Sequence, residues 1–404
     1  MIQKSQLARW PLAALLGLLG CGVAQADVTV TSLYAFTGTA WQQNPTAGAV
    51  LGSDGRLHGI AGPTPPSFSD PRPTMTWSLK TDGSDLQTTT VTLPAGFSAD
   101  LIRSPLLVDN DGRFYGAFYQ VPGTVFTFSP SEPFSTIAAA SNGGFRYPNG
   151  NPAIDSGGNL YLLDRGNASA NAGAIRKLSA DHSRFSTVKT FDTAPDGSRV
   201  NVAAVIVGTD AWLYGVNSGG GANGIGTIYR IRPDGSELTI LHDFASADGR
   251  AAAYLTNSAE GLRNSGSLVE VKEWLYGNTY QLGTNGDGTL YRIRKDGTGF
   301  EVLHQFNNTA RQDGRKSAGM LILASDGNVY GSTNAGGAHD DGTLFRLVTA
   351  NVGNADRGFE KLHDFESAVD GKLPLNLSLG SDGLLYGITV NGGSAGNFGT
   401  VFKV

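Results

Sequence analysis

Cysteine is almost missing. The 404-residue chain has a single Cys, Cys21, which excludes an internal disulfide framework and a paired-cysteine metal site. Charged residues are also sparse, at 16%, and the net charge is −5. With no clustered Lys/Arg, the electrostatic basis for binding nucleic acid is absent. No stretch beyond the N-terminal segment approaches 18 uninterrupted apolar residues, so no transmembrane span is expected. There is no HExxH motif and no phosphate-binding GxxxxGK[ST] motif. Glycine is what the chain has in excess: 56 residues, about twice its average share. Together with 17 prolines this stays below the level that marks low-complexity disorder, and 40% hydrophobic residues are enough for a large core.

The first 26 residues read as an export signal. Lys4 and Arg9 form a positive start, Trp10 to Leu19 a short apolar stretch, and Ala24-Gln25-Ala26 a small-x-small cleavage pattern that leaves Asp27 as the first mature residue. Strand-like sequence beginning at Val28 favours this reading. A second reading uses Leu18-Leu19-Gly20-Cys21, which resembles a bacterial lipobox, with cleavage before a lipidated Cys21 acting as the anchor. Cleavage after Ala26 would remove Lys4, Arg9 and Cys21 and take the net charge from −5 to −7. Either route exports the protein to the periplasm, the outer membrane or the outside of the cell. Residues 27–404 are expected to form one domain.

That expectation rests on a repeat. Asp-Gly-x-(Leu/Phe/Val)-Tyr-Gly recurs from Asp54-Gly55-Arg56-Leu57-His58-Gly59 to Asp382-Gly383-Leu384-Leu385-Tyr386-Gly387, with copies ending at Gly116, Gly215, Gly277 and Gly331 and a degraded one at Leu162. Six steps separate Gly59 from Gly387, a mean period of about 55 residues, and such spacing marks a repeat architecture. A second element, Gly-Thr-(Ile/Leu/Val)-(Tyr/Phe)-(Arg/Lys), follows at Gly226, Gly288, Gly342 and Gly399, with weaker copies at Gly123 and Gly173 and a diverged one at Met75. A third closes the unit: Leu241-His242-Asp243-Phe244, Leu303-His304-Gln305-Phe306 and Leu362-His363-Asp364-Phe365. Each unit therefore reads as four short strands between Gly/Asp turns, and seven units predict an all-β, seven-bladed β-propeller.

The chain ends supply a check. The last unit stops at Gly399-Thr400-Val401-Phe402-Lys403-Val404 without its third element, and Leu33-Tyr34-Ala35-Phe36 is the missing piece. The N-terminal segment should complete the last blade and close the ring, leaving no open sheet edge.

Together these elements resemble the GloVer tandem-repeat family of bacterial extracellular proteins. Residues 202–404 follow its repeat closely and 28–201 loosely. The resemblance implies an extracellular setting and no settled activity.

With strands A to D running outward from the axis, Ser317 to Ala324 is expected as A, Asn328 to Asn334 as B, Gly342 to Val348 as C and Phe359 to Phe365 as D of the sixth unit. The longer B–C and D–A loops then share one face, the default place for a ligand. Most B–C loops carry Asn and Gly, as at Asn217, Asn334 and Asn391. The departures are Phe118-Tyr119, Asp164-Arg165, Tyr280 and His339-Asp340-Asp341, with Phe145-Arg146-Tyr147-Pro148 on a D–A loop and Trp41 on the loop entering the first unit. Aromatic and Arg side chains on one face suit stacking on sugars and holding a carboxylate, so Trp41, Tyr119, Arg146, Tyr147, Asp164, Arg165, Tyr280 and His339 are the candidate ligand residues, against ordinary loop drift as the plainer reading.

Other patterns read as structure. Asp196, Asp248, Asp313 and Asp370 recur as turn-forming Asp-Gly pairs, although a ring of carboxylates would also suit a cation. His242, His304 and His363 sit at one strand position of three different units and read as packing. Trp212 and Trp274 also read as packing. Gly219, Gly221 and Gly224 match a dinucleotide motif, and Gly392, Ser394 and Gly396 a nucleophile elbow, but both lie between two strands where the chemistry needs a following helix.

No cofactor and no metal is implied. The expected role is an exported module binding a glycan or a protein. The rivals are a structural surface protein and a polysaccharide lyase of acidic glycans, with Tyr119, Tyr280 or His339 as base and Arg146 or Arg165 neutralising the uronate carboxylate.

Overall fold

A computed structural model describes residues 29–38, 45–62, 74–91, 105–118, 123–137, 150–164, 173–191, 202–249, 267–317, 319–352 and 358–404, with 102, 145 and 148. The leader and Cys21, Trp41, Tyr119, Arg146, Tyr147, Arg165 and Asp196 lie outside them.

The first strand, β1 (Thr31–Ala35), is followed by six complete four-stranded units. Blade 1 is β2 (Val50–Leu51), β3 (Arg56–Ala61), β4 (Thr74–Lys80) and β5 (Gln87–Val91). Blade 2 is β6 (Leu107–Val108), β7 (Phe114–Phe118), β8 (Thr124–Phe128) and β9 (Ser135–Ile137). Blade 3 is β10 (Ala153–Ile154), β11 (Leu160–Asp164), β12 (Ala174–Leu178) and β13 (Phe185–Thr190). Blade 4 is β14 (Val202–Val207), β15 (Leu213–Asn217), β16 (Thr227–Ile231) and β17 (Thr239–Asp243). Blade 5 is β18 (Ser267–Val271), β19 (Trp274–Asn278), β20 (Thr289–Arg294) and β21 (Glu301–Gln305). Blade 6 is β22 (Ile322–Leu323), β23 (Val329–Thr333), β24 (Thr343–Leu347) and β25 (Phe359–Asp364). Blade 7 takes β26 (Lys372–Leu379), β27 (Leu385–Asn391) and β28 (Thr400–Lys403) from the C-terminus and β1 from the N-terminus.

Each sheet is an antiparallel meander, and the seven form the expected propeller. The A strands touch those of neighbouring blades, β10 with β14, β14 with β18, β18 with β22, β22 with β26 and β26 with β2. They therefore surround the axis, and the last blade abuts the first. β1 pairs antiparallel with β28, Thr31 opposite Lys403 and Ala35 opposite Thr400. The Phe36 N–H donates to the Gly399 carbonyl at 3.0 Å, as those of Phe244, Phe306 and Phe365 do to Gly226, Gly288 and Gly342. That shared bond identifies Leu-Tyr-Ala-Phe as the missing third element.

The repeat motifs have a steric cause. In the B–C register Gly215 faces Tyr229, Gly277 faces Tyr291, Gly331 faces Phe345 and Gly387 faces Phe402. A Cβ at Gly215 would lie 2.2 Å from the ring of Tyr229. The glycine therefore lets the ring lie across the neighbouring backbone, which explains why Tyr-Gly and Gly-Thr-x-(Tyr/Phe) occur together. The Tyr before the glycine ties down the A–B turn: the hydroxyls of Tyr115, Tyr161, Tyr214, Tyr330 and Tyr386 donate to Asp109, Asp155, Asp210, Asp326 and Asp382 at 2.5–3.1 Å. In blade 1 His58 does this through Nε2, 3.0 Å from Asp54.

The expected blade 6 strands are confirmed with one difference. Its A segment is laddered only over Ile322–Leu323. Before that Ser317 runs beside β23 through its side chain, the hydroxyl donating to the Ser332 carbonyl, so backbone pairing gives way to a side-chain bond.

Candidate functional site

The topology puts the A–B and C–D turns on one face and the B–C and D–A loops on the other. On the loop face, what blades repeat is engaged in holding loops together. His242, His304 and His363 place Nε2 at 2.5–3.0 Å from Asp248, Asp313 and Asp370. The same carboxylates accept the backbone N–H of Ala245, Asn307 and Glu366. His242 and His304 also stack on Phe300 and Phe359 of the next blade at 3.6 Å between centroids. The residue between His and Phe works too: Asp243, Gln305 and Asp364 accept the N–H of Ala222, Thr284 and Ala338 on the B–C loops.

A pair of threonines completes the arrangement in three blades. Thr279 with Thr289, Thr333 with Thr343 and Thr389 with Thr400 are hydrogen-bonded at 2.8–3.0 Å. The second of each pair donates to the carbonyl of Asp248, Asp313 or Asp370. The following Gly249, Gly314 and Gly371 have φ near 102° and sit against the threonines, where a Cβ would approach within 2.0 Å of Thr279 Oγ1. The repeated Asp and His are thus a structural clamp, as the packing and turn readings required. Among the described residues no three His, Cys, Asp or Glu side chains gather as metal ligands.

The candidates that can be placed separate. Asp164 is buried and receives Nε and Nη2 of Arg176 at 3.0 and 2.9 Å. Arg176 stands where other blades carry the aromatic ring, and it faces Leu162 where they carry glycine. Phe118 is buried beside Phe126 and Phe134. Tyr280 is buried at 2% exposure, so its phenol is not presented to the surface. His339 is exposed. The structure does not bring Asp164 of blade 3, Tyr280 of blade 5 and His339 of blade 6 together on one loop.

Trp212 and Trp274 are half-buried on the turn face, each beside two guanidiniums. Arg230 and Arg232 lie 4.7 and 3.8 Å from the first ring, Arg292 and Arg294 4.1 and 4.9 Å from the second. The Gly219–Gly224 and Gly392–Gly396 segments lie between β15 and β16 and between β27 and β28, so neither opens a helix.

Blade 6 departs from the others on the loop face. Counting three residues after the glycine that packs on the third element, on Asp243, Gln305 and Ala35 in blades 4, 5 and 7, these blades carry Gly224, Gly286 and Gly396, all at positive φ. Blade 6 carries Asp340 there, at φ 60°. Its carboxylate accepts the Gly336 N–H at 2.8 Å and Nε and Nη2 of Arg315 at 2.8–3.1 Å, and Arg315 holds the carboxyl below its ordinary range. Arg315 belongs to the incoming D–A loop, whose backbone pairs with Ala335 in both directions. The neighbouring acids differ: Asp287 and Asp341 accept the N–H of Asn308 and Ser367 and so belong to loop support. Sequence reasoning did not single out Arg315. Its signal was present, because it follows Asp313-Gly314 as Arg250 and Lys372 follow their own Asp-Gly.

The family model described as the Gloeobacter/Verrucomicrobia repeat matches residues 102–262 and 251–404. No curated protein sequence matches the chain. Among solved structures, an oligogalacturonate lyase from Vibrio parahaemolyticus superposes with a TM-score of 0.55 at 11% identity, over 94% of each chain. The extracellular domain of a putative one component system from B. thetaiotaomicron gives 0.53 at 11% identity, over 92% of this chain and 39% of that one. This chain therefore spans about two fifths of that protein. A putative 6-phosphogluconolactonase from Bacteroides fragilis gives 0.50 at 13% identity, over 83% and 88%. At such identities the likeness is one of fold. Among the described residues no helix is long and apolar enough to cross a membrane.

Proposed function

The chain belongs to the Gloeobacter/Verrucomicrobia repeat family, and from that premise we propose that it is an exported binding module that engages a glycan on its B–C/D–A loop face. The observation that carries this reading is the division of labour on that face. The repeated His, Asp and Thr residues are engaged in the clamp, and blade 6 places an exposed Asp340, paired with half-buried Arg315, where blades 4, 5 and 7 have glycine. Rigid blades presenting variable loops are a common basis for recognition. A non-glycine residue in the left-handed region costs about 1–3 kcal/mol and tends to persist at functional positions.

The leader supports export, with cleavage after Ala26 or lipidation of Cys21. Glycan-array binding by the mature protein tests the module, and mass spectrometry of its N-terminus tests export. Binding to at least one saccharide, and a first residue of Asp27 or lipidated Cys21, are the expected results. An array without signal contradicts the glycan reading, and a mature chain still beginning at Met1 contradicts export.

A further inference from the structure

Resting on that reading and deepening it, we propose that the loop face of blade 6 is a subsite for a neutral saccharide, in which Asp340 accepts sugar hydroxyls, Arg315 orients it and His339 offers its ring to a sugar face.

Asp340 is fixed and exposed at once. Three N–H groups, from Gly336 and from Nε and Nη2 of Arg315, hold its carboxylate, yet its side chain is 57% exposed. An ordinary surface ion pair is loose, because ordering two long side chains offsets its Coulomb gain. Here the backbone anchor removes part of that freedom before any ligand arrives, which lowers the cost of binding. The left-handed conformation of Asp340 adds a second mark, since blades 4, 5 and 7 meet the same turn with glycine. His339 departs in the same way. The residues at its place in blades 4 and 5, Asn223 and Asn285, turn inward and donate to the carbonyls of Phe244 and Phe306, whereas His339 is exposed. On the same loop Asn334 is buried with an amide oxygen that has no hydrogen-bond partner, an acceptor that a hydroxyl donor admitted by the loop would satisfy.

The chemistry selects the ligand class. A carboxylate already paired with a guanidinium is a poor cation site, and it repels an incoming carboxylate. It remains a strong acceptor for hydroxyl donors. The Arg315 charge is balanced by Asp340, so this pair cannot neutralise a uronate as a lyase of acidic glycans requires. A neutral polyhydroxylated ligand, with an apolar ring face against His339, fits all three side chains.

The test uses the mature full chain against cello-, xylo-, malto- and manno-oligosaccharides beside oligogalacturonate, followed by calorimetry on the best neutral ligand. The decisive variant is Asp340→Gly, which installs the residue found in blades 4, 5 and 7 and so keeps the turn. Affinity is expected to fall about tenfold or more, the size of a lost charge-assisted hydrogen bond, with little change in melting temperature because relief of the left-handed strain offsets the lost Gly336 and Arg315 bonds. His339→Asn, the residue of blades 4 and 5, should give a smaller loss. Binding by the wild type that Asp340→Gly leaves intact would overturn the subsite while the module reading stands. Binding of oligogalacturonate alone would overturn the ligand class. No binding to any saccharide would remove both.

Discussion

In blades 5, 6 and 7 the outer ends of strands B and C are tied by threonine pairs, and each pair also grips the carbonyl of the incoming Asp. The same positions are Ala61 and Met75 in blade 1, Phe118 and Thr124 in blade 2, and Asp164 and Ala174 in blade 3. Blade 2 has Phe118 there, packed against Phe126 and Phe134. Blade 3 has the Asp164–Arg176 pair. The backbone solution, a four-stranded meander with a fixed register, is common to all of them. The architecture therefore tolerates several chemistries at that point, including the apolar Ala61 and Met75 of blade 1. This is why the N-terminal half matches the repeat only loosely in sequence while keeping its geometry.

The joint between the two halves should carry the greatest stability effect. Phe36 is fully buried, packs on Trp77 of blade 1 at 5.8 Å and completes blade 7. Phe36→Ala is expected to cost about 3–5 kcal/mol, read by chemical denaturation. A cost as small as that of a surface substitution would mean the ring is not held there. Next comes the ion pair of blade 3. Asp164→Ala leaves Arg176 without its carboxylate. The expected cost is about 2 kcal/mol, below the range for fully buried pairs because Arg176 keeps some solvent access. Thr333→Val in blade 6 should cost about 1–2 kcal/mol, since the hydroxyl's bonds to Ala335 and Thr343 are lost and the buried Thr343 N–H loses its acceptor.

The turn face provides a pH contrast between blade 1 and the rest. Burial, with the Asp hydrogen bond adding to it, raises the Tyr115 and Tyr386 phenols well above their ordinary value. Their neutral forms are favoured in the fold, so that contribution is complete below about pH 10 and is lost as pH rises beyond it. His58 runs the other way. Burial lowers its pKa, although Asp54 opposes this, so its contribution is complete above about pH 6.5 and declines as pH falls below it. Melting temperature followed across pH should fall at both ends. His58→Tyr should flatten the acid limb alone, and an unaltered acid limb would show that other groups set it.

Much of this architecture could be read from the sequence because one motif is written seven times. The period placed the strands, and the orphaned Leu33-Tyr34-Ala35-Phe36 identified the blade that β1 completes. The loop face was harder. Asp164 looked like a ligand residue because its partner, Arg176, becomes adjacent only through the cross-strand register. Tyr280 looked exposed because loop position alone does not tell which way a ring turns, and it is buried. The pairing of Arg315 with Asp340 joins two loops 25 residues apart, a contact that neither loop announces. The glycine-to-Asp340 change was visible once the repeats are aligned on their glycines, and its meaning needed the φ of the turn.

The central claim is that repeated residues hold the loops while the exposed departure in blade 6 binds. Two variants measured side by side, His304→Ala in blade 5 and Asp340→Gly in blade 6, test it most directly through melting temperature and affinity for a neutral oligosaccharide. His304→Ala is predicted to lower the melting temperature and leave affinity within about twofold, because it removes the partner of buried Asp313. Asp340→Gly is predicted to do the reverse. Equal losses of affinity from both, or a loss of stability without loss of binding from Asp340→Gly, would contradict the account.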